Sequence, residues 1–236
     1  MTREVCPDRD SVTQRALDRV VATVRAHAAG RGRCSLVLAG GSTPKALYTR
    51  LAQVDLPWEA LHIFWGDERY VPQDHPDSNY RMAQEAWLSH VPIPRNQIYP
   101  MPTDDPDPRT AAGRYEAVIH RFFGSQPGDW PRFDLVLLGL GDDGHTASLF
   151  PHTAALQVCD RLVTVGERQG QPRLTLSIPV LNRAEQVIFL VTGASKRPAV
   201  TKVWAEVGNP EAYPARFIQP EGELIWLLDQ EAAPTG

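Results

Sequence analysis

Between residues 10 and 29, apolar side chains recur at helical spacing. Val12, Ala16, Leu17, Val20, Val21 and Val24 share one face of DSVTQRALDRVVATVRAHAA, and Gly30 and Gly32 close the segment. The spacing predicts an amphipathic helix that covers a sheet. SLVLAG at 35–40 is then apolar without alternation, as in a parallel strand buried on both faces. It runs straight into GSTPKALYTRLAQ, where Ser42 or Thr43 is placed to cap a helix and Pro44 sits in a first turn that needs no amide donor. LHIFWG at 61–66 predicts a second strand ending at Asp67, Glu68 and Arg69, followed by a loop and a helix capped near 77–79. The proline-rich stretch 91–109 reads as a rigid connection with at most a short strand at 97–99. A helix at 110–123 leads to the strand FDLVLLG. Strands at 162–165, 173–178 and 186–193, a helix at 195–207 and a last strand at 223–229 complete the pattern.

Strands alternating with helices at this spacing predict a three-layer α/β/α fold with a mainly parallel, Rossmann-like sheet. A length of 236 residues accommodates one α/β domain with a full core and is short for two enzyme domains, so 1–236 reads as a single domain. In such sheets ligands collect outside the carboxyl ends of the strands. Three predicted strand ends carry polar turns there: GGSTP at 40–44, GDER at 66–69 and GDDGHT at 141–146. A fourth, TGASK at 192–196, adds a lysine at the start of a helix. Gathered at one edge, these turns make one cleft.

Gly139, Gly141 and Gly144 satisfy the G-x-G-x-x-G pattern of dinucleotide sites. The match is one of pattern alone. Asp142 and Asp143 stand where a pyrophosphate would approach, Pro151 interrupts any long helix, and Asp160 precedes an apolar run, whereas a ribose-binding acid ends one. His145 in this turn is the first candidate for a catalytic residue, since an imidazole of ordinary basicity takes a proton from water at neutral pH. Asp143 is the candidate to orient it. A lone histidine satisfied by backbone in a tight turn is the plainer reading, and the flanking Asp143, Thr146 and glycines favour chemistry.

Gly40, Gly41, Ser42 and Thr43 offer close backbone approach, hydroxyl donors and a helix N-terminus, which suit an oxyanion. A well-capped strand-to-helix turn would use the same residues. The turn lacks the Lys-Ser/Thr pair of a P-loop, which argues against nucleoside triphosphates and for a sugar phosphate or similar monoester. Lys196, Arg173 and Arg69 are the cations placed at strand ends to meet phosphate or carboxylate oxygens.

A net charge of −4 gives no general attraction to nucleic acid or to anionic lipid, and no apolar window is long enough to span a membrane. Cys6, Cys34 and Cys159 form no C-x-x-C pair and fit a reducing compartment. The charged N-terminus MTREVCPDRD is not a secretory signal, so a cytoplasmic location is expected. His62, His75, His90, His120 and His152 sit without acidic or cysteine partners at ligand spacing, and no metal site is expected.

The blocks LAGGSTPKALY, FWGDERYVPQDHPDSNYRMA, FDLVLLGLGDDGHTASLFP, PRLTLSIPVLNRA and VTGASKRPAV, with the tail YPARFIQPEGELIWLLDQEAA, resemble the 6-phosphogluconolactonase family in order and spacing. The resemblance runs from about Leu36 to Ala233. It implies hydrolysis of 6-phospho-D-glucono-1,5-lactone to 6-phosphogluconate, with no metal or organic cofactor. The partner it implies is a small sugar-phosphate lactone, with no nucleic acid and no membrane; the oligomeric state is not fixed, and a monomer is the working expectation. It further implies His145 and Asp143 as catalytic residues, and Gly40, Gly41, Ser42, Thr43, Asp67, Arg69, Gly144, Arg173 and Lys196 around the substrate. Ala39, Arg197 and Tyr213 depart from the usual family residues without removing a chemical group. Glucosamine-6-phosphate deaminase is similar in its phosphate turn and Asp-Gly-His block, but that block carries a glutamate where this chain has Phe150, and phenylalanine is neither acid nor base. A non-catalytic sugar-phosphate sensor on the same scaffold is the third possibility, against which the retained His145 argues.

Overall fold

The computed structural model describes residues 1–235. Its elements in chain order are β1 (Thr2–Cys6), α1 (Arg9–Arg31), β2 (Cys34–Leu38), α2 (Ser42–Leu51), β3 (Leu61–Trp65), β4 (Asp67–Arg69), α3 (Asn79–Ala86), α4 (Pro108–Phe123), β5 (Leu135–Leu138), β6 (Val163–Arg168), β7 (Gln171–Leu176), α5 (Ile178–Arg183), β8 (Gln186–Val191), α6 (Arg197–Trp204) and β9 (Glu223–Asp229). Six strands form one parallel sheet in the order β1-β9-β8-β5-β2-β3. All five residues of β2 and all four of β5 are buried, as expected of strands covered on both faces. Crossovers in such sheets are right-handed, so connections that step in opposite directions across the sheet lay their helices on opposite faces. The chain leaves β2 through α2 toward β3 and returns from β3 to β5 on the other side of β2. That reversal makes the gap between the ends of β2 and β5 the switch point of the sheet, where a crevice opens.

The sequence pattern places most of these elements within a few residues and misses three features. β1 is a parallel edge strand made from TREVC, whose charged residues hide it from a hydrophobicity pattern. The GDER turn is a short strand: Asp67–Arg69 pairs antiparallel with β7, and β6 pairs with β7 in turn, so β4, β7 and β6 form a second, three-stranded sheet outside the parallel one. The strand expected at 173–178 ends at Leu176, and Ile178–Arg183 form the short helix α5, which the pattern does not predict. At 97–99 there is a single parallel bridge between Ile63 and Ile98 after a 3-10 turn, and no strand. The C-terminal helix is shorter than expected, with a 3-10 turn at Ala194–Lys196 followed by α6.

Caps explain the helix ends. Asp8 and Gly32 close α1, Ser78 accepts from the Arg81 amide at the start of α3, and Asp107 caps α4. α2, like α5 and α6, starts without a side-chain cap. Its N-cap is Gly41, at φ 105°, and no side chain caps it, so neither Ser42 nor Thr43 plays the expected capping part. Among the described residues no helix is long and apolar enough to cross a membrane.

Candidate active site

The ends of β2, β3 and β5, with β4 and β7 of the small sheet, enclose a cleft of about 260 Å³. Its lining includes Gly40, Gly41, Asp67, Arg69, His145, Arg173 and Lys196, so residues far apart in the chain meet at the switch point. Local hydrogen bonds shape each wall. The buried Tyr48 hydroxyl donates to the Ala39 carbonyl at 2.8 Å and accepts from the Ala39 amide at 2.9 Å, which fixes the backbone just before Gly40. A Cβ on Gly40 would stand 2.1 Å from Asn79 Oδ1, so only glycine lets Asn79 reach this wall. Asn79 donates to the Asp67 carbonyl at 3.0 Å.

The three residues of β4 divide their side chains by strand alternation. Asp67 and Arg69 line the cleft, whereas Glu68 turns away and is buried. The Glu68 carboxylate accepts from the amides of Arg69, Asn79 and Tyr80 at 2.7–2.8 Å and from Ser78 Oγ at 3.1 Å, which ties β4 to the start of α3. Burial pushes its pKa up against the pull of these amides. Asp67 accepts a 2.7 Å hydrogen bond from Ser148 Oγ. Arg69 donates to the Asp77 carbonyl at 2.5 Å, and its Nε is buried without a partner among the described residues.

The turn after β5 holds the imidazole. The Gly141 amide donates to the His145 carbonyl at 2.8 Å, the Gly144 amide to the Gly141 carbonyl at 3.0 Å, and Thr146 Oγ1 to the Gly139 carbonyl at 2.8 Å. His145 Nδ1 is hydrogen-bonded to the Asp143 carboxylate, which also accepts from the His145 amide at 3.1 Å. Burial alone would raise the Asp143 pKa, but the hydrogen bonds and charge of His145 outweigh it and bring it to about 2. Asp143 is therefore ionised at neutral pH. A donor Nδ1–H leaves the lone pair on Nε2, the arrangement a general base requires. The Phe150 ring packs against the imidazole with centroids 4.6 Å apart.

Two of the expected cations differ in environment. Lys196 Nζ lies 2.6 Å from Asp142 Oδ1, and this bond holds the Asp142 carboxyl below its usual range. Arg173 makes no hydrogen bond or ion pair among the described residues; it faces Arg69 across the β4–β7 register, and its Cζ lies 5.5 Å from the centroid of the Phe150 ring. Burial, followed by the Arg69 charge, lowers its pKa.

Three expected substrate-binding residues stand outside the cleft lining. Ser42 is exposed at the first position of α2, and Thr43 is buried with its hydroxyl 2.8 Å from that of Thr192. Gly144, at φ 78°, packs against Tyr213 and accepts from the Ala215 amide at 2.9 Å. Its role is to shape the His145 turn, because the left-handed backbone and the Tyr213 contact both exclude a side chain. Asn79 and Ser148 are site residues that motif reading passes over, and Asp142, Thr146 and Phe150 are noted there without the contacts they make. For Asp142 and Ser148 the signal is absent from local sequence, since their partners Lys196 and Asp67 lie 54 and 81 positions away.

One acidic cluster forms elsewhere. His27, Asp134 and Glu185 bring their ligand atoms within 4.8 Å of one another, and Arg31 bonds both carboxylates at 3.0 and 2.8 Å. With that guanidinium supplying the positive charge, the cluster fastens the end of α1 to the starts of β5 and β8.

A model of the family described as glucosamine-6-phosphate isomerases/6-phosphogluconolactonase matches residues 7–226. A 6-phosphogluconolactonase of Synechocystis sp. is 56% identical over 229 residues, covering 97% of this chain and 95% of the relative. One of Nostoc sp. is 53% identical, covering 98% of this chain and 96% of the relative. The solved structure of 6-phosphogluconolactonase from Trypanosoma brucei has a TM-score of 0.84 and 35% identity, over 98% of this chain and 97% of that one.

Proposed function

The chain belongs to the glucosamine-6-phosphate isomerase/6-phosphogluconolactonase family, and we propose as its activity the hydrolysis of 6-phospho-D-glucono-1,5-lactone to 6-phosphogluconate, with His145 as the base. It is a lactone-hydrolysing enzyme. The observation that carries the residue assignment is His145, held by Asp143 behind it, standing in the same cleft as Gly40, Gly41, Arg69, Arg173 and Lys196. His145 Nε2 takes a proton from water as the water oxygen bonds to the lactone C1. The imidazolium so formed is stabilised by the ionised Asp143. The tetrahedral intermediate collapses with cleavage of the bond between C1 and the ring oxygen, and His145 returns its proton to that oxygen as it leaves.

Charge developing on the carbonyl oxygen needs donors fixed in advance. Arg69 and the uncapped N-terminus of α2 supply them, the latter because no side chain occupies its free amides. Arg173 and Lys196 hold the phosphate. Phe150 gives the imidazole an apolar neighbour at the position where the deaminase block has its glutamate, which supports hydrolysis over deamination.

The test is hydrolysis of 6-phosphogluconolactone generated in situ, with the spontaneous rate subtracted and His145→Ala run beside the wild type. The expected result is rapid wild-type turnover and a loss of about 10²–10⁴-fold in kcat for the variant. A wild-type rate no greater than the spontaneous one would overturn the assignment, and ammonia release from glucosamine 6-phosphate would replace it with the deaminase.

A further inference from the structure

β6 and β7 are joined by a two-residue turn through Gln169 and Gly170, at φ 53° and 77°. Positive φ at both central positions is the type I′ geometry that lets a tight hairpin follow the twist of its strands. The turn sets Arg168 at the hairpin tip, exposed, and paired in register with Gln171. Its guanidinium lies over the Phe150 ring, with Cζ 5.4 Å from the centroid, and Arg173 approaches the same ring at 5.5 Å. The imidazole of His145 is that ring's third neighbour. Arg168 is thus brought to the rim of the cleft by a residue in direct contact with the base.

The charges around that rim are unevenly compensated. Lys196 is paired with Asp142, and Arg69 spends one donor on a backbone carbonyl. Arg173 and Arg168 have neither a hydrogen bond nor an ion pair among the described residues. Asp67 and Glu68 offset part of the Arg173 charge, while Arg69 and Arg168 add to the positive field around it. Guanidiniums left without carboxylates at one end of a cleft make a site for an anion with several oxygens, and a phosphate monoester has the charge and geometry to take donors from two of them.

We propose that Arg168 is a specificity-determining residue that contacts the phosphate of the substrate from the tip of the β6–β7 hairpin, beside Arg173. The inference rests on the lactonase reading given above. Because Arg168 is exposed and carries no partner, it acts on recognition of the phosphorylated lactone and leaves the chemistry at C1 to His145.

The experiment compares wild type, Arg168→Ala and Arg168→Lys on two substrates, 6-phosphogluconolactone and unphosphorylated glucono-1,5-lactone, with melting temperatures to establish equal folding. For Arg168→Ala, KM for the phosphorylated lactone is expected to rise roughly tenfold with kcat within about twofold, and kcat/KM for the unphosphorylated lactone to stay unchanged. Arg168→Lys recovers part of the loss, since it restores charge without the fork. Direct binding of 6-phosphogluconate, measured by titration calorimetry, weakens in parallel, a readout independent of turnover. A wild type active on the phosphorylated lactone, with KM unmoved in Arg168→Ala, overturns the role of Arg168 and leaves the lactonase reading standing. Equal losses of kcat on both lactones also overturn it, because they would make Arg168 a support for Phe150 and His145. Absence of wild-type turnover removes the reading and the inference together.

Discussion

A methyl group at position 141 would test the geometry of the imidazole without touching its chemistry. The Cβ of Gly141→Ala would lie 1.9 Å from His145 Nδ1, 2.1 Å from Cε1 and 2.7 Å from Asp143 Oδ1. The backbone at 141 is outside the left-handed region, so alanine is tolerated there and the clash is with side chains alone. To reach ordinary van der Waals separation the ring has to withdraw by about 1.5 Å, and in doing so it leaves Asp143. The lost charge-assisted hydrogen bond is worth about 1.5–3 kcal/mol, and misplacing a catalytic group by about 1 Å costs on the order of 10²-fold. Both lead to the same expectation, a fall in kcat of about 10²-fold. Stability should suffer little, because the groups in the way are the ends of side chains at a half-open site; about 1 kcal/mol corresponds to a melting point lower by about 2–4 °C. The assay is kcat and KM for 6-phosphogluconolactone beside a thermal melt. A kcat within twofold of wild type would refute the reasoning, as would an activity loss that appears only with loss of fold.

Two other perturbations address charge and backbone. In Asp143→Asn the hydrogen-bonded carboxylate is gone; because its folded pKa of about 2 lies below the unfolded value, its contribution to stability is full above about pH 4 and disappears as pH falls through about 2. With the Asp143 side chain 41% exposed, that contribution is screened to about 1 kcal/mol, and urea unfolding of both proteins from pH 6 to pH 2 should show a gap that closes toward acid; a constant gap would contradict it. Gly113→Ala lies on the exposed face of α4, where a Cβ meets nothing within 4 Å, and should stabilise the protein by about 0.5–1 kcal/mol with activity unchanged, read as a higher melting temperature.

The parallel sheet was legible because its strands are apolar throughout and flanked by glycine-rich turns, as in SLVLAG and FDLVLLG. β1 was not, since an edge strand of Thr2, Arg3 and Glu4, the first two exposed, has the composition of a tail. β4 was invisible for another reason: three polar residues become a strand only because β7 is there to pair with them, and Thr175, Leu174 and Arg173 lie more than a hundred positions away. In the site, the turns that would meet were evident from their place at strand ends. Which of their residues face inward was not, because that depends on partners. Thr43 turns to Thr192, Gly144 to Tyr213, and Lys196 is half-neutralised by Asp142, none of which a turn sequence reveals.

The alternation along β4 and β7 sets rules for anyone who would redesign this pocket for a different sugar acid. Positions 67, 69 and 173 open onto the cleft; 67 and 173 can be varied to change what is admitted, whereas Arg69 is the proposed donor to the reacting carbonyl. Position 68 cannot be treated as one more polar pocket residue: its carboxylate takes two amides and a hydroxyl from the neighbouring helix start, and the Arg69 amide besides, on the side away from the cleft. A library randomised across all of GDER would lose most of its members to misfolding at that one position. A library confined to positions 67 and 173 would keep the scaffold and sample recognition alone.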